Sequence, residues 1–81
     1  MGHYMAKIKY FGKLRSLCGK NEDWIAANSL TELLRAIQKL YGKEAKKAAK
    51  ASLITVDGNK VLSIRKTALS DDAKVSFYPI G

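Results

Sequence analysis

Eighty-one residues supply one hydrophobic core and no second, and a chain this short buries roughly 60–65% of the surface its unfolded form exposes. With 47% apolar and 27% charged residues it has the material for that core and is not globally disordered, and it holds neither a membrane-length apolar run nor a secretory leader, so a cytoplasmic location without membrane contact is expected. The net charge of +8, from 12 Lys and 3 Arg, favours an acidic partner, but so Lys-heavy a mixture disfavours nucleic acid, because Arg supplies bidentate phosphate and base recognition.

Residues 1–4, Met1-Gly2-His3-Tyr4, precede a second methionine, Met5, and read as an appended remnant; His3 is assigned no role. From Ala6 to Phe11 the pattern alternates at Lys7, Ile8, Lys9 and Tyr10, which marks a half-buried strand that Gly12 breaks. Leu14, Leu17 and Cys18 then fall at helical spacing, enough for a turn or two. Cys18 is the sole cysteine and His3 the sole histidine, so neither an internal disulfide nor a metal site is expected. Cys18 reads as a small, half-buried apolar residue, with only Arg15 and Lys20 near enough to activate it. Residues 22–26, with Trp24 after the acidic Glu22 and Asp23 and Ile25 behind it, read as a second strand.

Ser29-Leu30-Thr31-Glu32 is a capping box, in which the Ser29 hydroxyl accepts from the Glu32 amide and the Glu32 carboxylate reaches back to the amide of Ser29. Leu30, Leu33, Leu34, Ile37, Leu40 and Tyr41 then form one apolar stripe, and Gly42 stands where a left-handed cap belongs, which predicts a core-facing helix over 30–41. Residues 43–51 place Lys43, Lys46, Lys47 and Lys50 on one helical face and Ala45, Ala48 and Ala49 on the other. A short basic helix fits; its lysines form a solvated face or a patch that steers an acidic partner. Leu53-Ile54-Thr55-Val56 is a strand, Asp57-Gly58-Asn59-Lys60 a tight turn, and 61–64 its return. Residues 68–73 form a polar loop. Residues 74–78 alternate again, Val75 and Phe77 against Lys74, Ser76 and Tyr78, until Pro79 ends the ladder.

The order implies an α+β domain over 1–81: a mixed sheet of four to five strands, one main helix packed on one face, and residues 79–81 as a C-terminal tail. If the first and last strands are parallel neighbours at the sheet centre, the architecture is the β-grasp (ubiquitin-like). No self-contained active site is expected. Asp71 and Asp72 are adjacent turn formers, no Ser has a His and an acid to work with, and no glycine-rich phosphate loop occurs. What stands out is the terminal Gly81, whose unbranched carboxylate can enter a narrow site.

Several segments together resemble the MoaD/ThiS family of ubiquitin-like sulfur carriers, the MoaD branch in particular. They are Lys9-Tyr10-Phe11, Leu14 to Gly19, the capped helix from Ser29, Thr55-Val56-Asp57-Gly58, and above all the run from Ala68 to Pro79 with its paired aromatics Phe77-Tyr78. The resemblance implies a carrier or small synthase subunit, not an enzyme in its own right. It binds no cofactor; a ubiquitin-activating-like adenylyltransferase uses ATP to adenylate Gly81, which then becomes a thiocarboxylate. A larger, MoaE-like synthase subunit or another acceptor takes the sulfur, in molybdopterin or tungstopterin cofactor biosynthesis. Pro79 and Ile80 would be the stiff tail entering the partner, and Tyr78 an aromatic that docks on it. The alternatives are a ubiquitin-like modifier using the same end, and a basic RNA-binding or interaction module. The family usually ends in Gly-Gly further beyond the proline. About three residues are missing here, a reach shorter by roughly 10 Å, so a longer native end is expected.

Overall fold

The computed structural model describes residues 5–80; Gly81 and His3 lie outside the described residues. The first strand, β1 (Met5–Tyr10), is followed by helix α1 (Gly12–Cys18) and strand β2 (Glu22–Ala26). Two helices come next, α2 (Leu30–Tyr41) and α3 (Lys43–Lys50). Strands β3 (Leu53–Val56), β4 (Asn59–Lys60) and β5 (Lys74–Tyr78) complete the sheet, with a 3₁₀ turn at Ile64–Lys66 between the last two. The strand order is β2-β1-β5-β3-β4. The central β1 and β5 run parallel, with Ile8 opposite Val75 and Tyr10 opposite Phe77; the other pairs are antiparallel. This is the β-grasp expected from the order of elements.

Alternation decides the two faces. Ala6, Ile8 and Tyr10 of β1 and Val75 and Phe77 of β5 are buried beneath the helices, where they meet Leu30, Leu33, Leu34 and Ile37 of α2. The stripe on α2 is shorter than its spacing suggests. Leu40 is 58% exposed, whereas Tyr41 packs on the core edge, its ring 6.1 Å from that of Tyr10. The third helix contributes to the core: Ala45 and Ala49 are fully buried, their small side chains allowing close approach to the other helices.

The start of α2 is docked from two sides. Ser29 Oγ accepts from the Glu32 amide at 3.2 Å, as expected, but the Glu32 carboxylate accepts from the amide of Asn28 at 2.9 Å, not from Ser29. Ser29 is extended and bridges Ala68, flanked by bonds from the Leu30 amide to the Thr67 carbonyl and from the Leu69 amide to the Asn28 carbonyl, so the carboxylate meets the amide one residue earlier. The return strand also differs. Asp57 and Gly58 both have positive φ (52° and 84°), the two-residue turn that suits strand twist, and so the chain returns at Asn59–Lys60 instead of at 61–64. Only the Val61 amide, donating to the Ile54 carbonyl at 2.9 Å, prolongs the pairing.

Gly42 is not the left-handed cap that the sequence suggests. Its φ of 99° and ψ of 176° lie in a region essentially restricted to glycine, and this one residue both ends α2 and begins α3. A Cβ there would meet nothing within 4 Å, so a substitution strains only the backbone. Gly42→Ala is expected to cost about 1–3 kcal/mol, which a thermal melt registers as a fall in Tm on the order of 10 °C.

At the other end of α2, the Asp23 carboxylate accepts from the Tyr10 hydroxyl at 3.3 Å and from the Tyr41 hydroxyl. Burial, and then Asp23, push both phenols well above their usual range. The folded state thus keeps protons that the unfolded state releases near pH ~10. Stability from this cluster is full below that pH and is lost as pH rises through it. Melts across that range should show Tm falling, and falling less steeply in Tyr10→Phe.

Candidate functional site

The features that could do work surround the end of β5. Because β5 is central and parallel to β1, Phe11, which follows β1, stands beside Tyr78 on the open face of the sheet. Their rings stack at 4.7 Å between centroids and 13° between planes. Pro79 then lies over Gly12, its Cγ 3.6 Å from where a Cβ would be, which fixes the direction in which the chain leaves the sheet. Ile80 follows with 72% of its surface in solvent. Tyr78, Pro79 and Ile80 thus form one continuous, accessible segment, while Gly81 lies outside the described residues.

The rest of the open face is basic and aromatic. Register places Lys7, Lys9, Lys74 and Ser76 on it, with Trp24 opposite Lys7. The Lys7 ammonium sits 5.9 Å from the Trp24 ring centre and 3.5 Å from the Glu22 carboxylate. Tyr78 stood out in the sequence, but Phe11 beside it and Trp24 at the far end of the same face did not. The signal was present: Phe11 continues the outward series Lys7, Lys9, and Trp24 alternates with the buried Ile25.

The lysines of α3 divide. Lys46 and Lys50 line a groove against β3 and β4, whereas Lys43 and Lys47 do not. Cys18 is more deeply enclosed than the sequence suggests, at 6% exposure. Burial, reinforced by Asp23, pushes its thiol up to about 11, so it stays protonated near neutrality. No described helix is long and apolar enough to cross a membrane.

No protein-family model and no curated protein matches the chain. Solved structures do. A Pyrococcus furiosus protein assigned as molybdopterin converting factor subunit 1 is 26% identical, with a TM-score of 0.76 over 95% of this chain and 98% of that one. The structure of a complex of subunits 1 and 2 of molybdopterin-converting factor from Helicobacter pylori matches at 24% identity and TM-score 0.71, covering 95% of each chain. Small archaeal modifier protein 1 from Methanosarcina acetivorans matches at 19% identity and TM-score 0.78, over 98% of this chain and 95% of that one. These neighbours, a molybdopterin converting factor subunit 1 at 26% identity among them, share the fold of this chain.

Proposed function

We propose that the protein is a sulfur carrier that works through the carboxylate of Gly81. The observation that supports this most is the route of the chain: the central strand β5 ends on the accessible Tyr78 and delivers Pro79 and Ile80 out of the sheet, in a β-grasp fold shared with molybdopterin converting factor subunit 1. A carboxylate is inert towards nucleophiles because its leaving group would be oxide. Attack of one carboxylate oxygen on the α-phosphorus of ATP, with loss of pyrophosphate, turns it into an acyl adenylate, and a sulfur nucleophile can then displace AMP. The resulting thiocarboxylate stores a nucleophilic sulfur without releasing sulfide. An adenylyltransferase of the ubiquitin-activating type would perform the first step. A larger synthase subunit would accept the sulfur, in keeping with the subunit 1 and 2 complex of the Helicobacter relative.

In this reading Tyr78, with Phe11 stacked behind it, is the docking aromatic, Pro79 and Ile80 are the stiff lead into the partner site, and Lys43, Lys46, Lys47 and Lys50 steer an acidic partner. Pyrophosphate release from ATP by an activating enzyme should depend on this chain and on Gly81. If release persists unchanged with Gly81 deleted, the reading fails. A protein modifier would share adenylation and then acylate a lysine; a conjugate in place of a thiocarboxylate selects it.

One observation favours a second reading. The open face combines Lys7, Lys9 and Lys74 with Phe11, Trp24 and Tyr78, more exposed aromatic surface than the sequence suggested, and such faces hold single-stranded nucleic acid by stacking and phosphate contacts. It requires RNA affinity that falls steeply with salt. Absence of binding at low salt removes it.

A further inference from the structure

A groove of about 740 Å³ opens between α2, the end of α3 and the β3–β4 hairpin, on the opposite side of the sheet from Trp24. Leu34, Leu53, Val61, Leu62, Ile64 and Ile80 give it an aliphatic lining. Leu62 is 91% exposed, an apolar side chain in water that no contact within the fold accounts for. Five cations converge on the same groove from four segments: Arg35, Lys46, Lys50, Lys60 and Arg65. None of the seven acidic residues lines it. The ion pairs among the described residues, Lys7–Glu22 and Lys20–Asp23, involve none of these five.

We propose that this groove docks an acidic, aliphatic segment of a partner protein, whose branched side chains rest on the aliphatic lining and whose carboxylates meet the five cations. Charge and lining decide the occupant. A second copy of this chain would bring the same +8 field against itself. A nucleic acid would satisfy the cations but find no aromatic ring among the lining residues on which to stack a base. An acidic aliphatic segment satisfies both features. The site is separate from the open sheet face, and Ile80 belongs to both the groove and the tail. A partner seated there would therefore touch the residue next to Gly81, gaining a hold on the tail from the helical side. This inference stands on the groove alone and does not require the carrier chemistry.

A short synthetic peptide alternating valine with aspartate, titrated into the whole protein and followed by NMR, tests it. Saturable shifts should centre on Leu34, Leu62, Ile64 and Ile80, and binding should weaken as salt rises. Leu62→Asp and Arg35→Glu, both exposed and not expected to disturb folding, should each weaken binding about tenfold or more. Lys13→Glu, on α1 outside the groove, should not. The proposal is overturned by a peptide that produces no saturable shift at low salt. It is equally overturned if a valine–lysine peptide binds as well, or if Leu62→Asp leaves affinity unchanged. Displacement of the peptide by oligouridine, or self-association that Leu62→Asp abolishes, would replace the occupant named here.

Discussion

Phe77→Ala should remove a large part of the protein's stability. Phe77 is fully buried on a central strand, its ring 6.4 Å from that of Tyr10 and nearly parallel to it, with the α2 leucines above. Truncating a buried Phe costs about 3–5 kcal/mol, the lost transfer energy plus the cavity left behind. A chain of this length has roughly 4–12 kcal/mol in total, so the loss takes about a quarter of the stability at best and all of it at worst. The neighbouring residue is the control. Tyr78 lies on the other face, and Tyr78→Ala forfeits little more than the stack on Phe11, about 0.5–1.5 kcal/mol. Urea unfolding of the two variants should differ accordingly; equal losses would mean that the faces of β5 are misassigned.

The second large effect concerns chemistry. Gly81→Val should lower adenylation by an activating enzyme about a hundredfold or more while leaving Tm unchanged, because a branched side chain beside the reacting carboxylate displaces it from attack geometry, and displacements near 1 Å cost on the order of 10²-fold. Tyr78→Ala should act differently, raising KM with kcat nearly preserved, since a docking contact contributes equally before and during the reaction. A fall in kcat for Tyr78→Ala with KM unchanged would move Tyr78 out of the docking role.

Much of the fold was legible in the residues. Ser29 and Glu32 marked the start of α2, period-two alternation marked β1 and β5, and Asp57-Gly58 marked the hairpin. These signals are local, so they survive in a single sequence. What was illegible depended on juxtaposition. The glycine-only geometry of Gly42 accompanies α3 turning back to bury Ala45 and Ala49; the alanine face was legible, the turn that seats it was not. Leu40 continued the stripe by spacing but lies exposed, while Tyr41 beside it meets Tyr10. The Phe11–Tyr78 stack exists only because β1 and β5 are parallel neighbours, and the basic groove draws on segments from Thr31 to Ile80. The tail was legible from Pro79 onward, but not the way Pro79 seats on Gly12.

The most direct test is the mass of the intact chain after incubation with ATP, an activating enzyme and a sulfur donor. A carrier gains the difference between one oxygen and one sulfur, localised by fragmentation to the terminal Gly81 and absent without ATP. A terminus that stays unmodified while the same enzyme demonstrably activates another carrier would contradict the account.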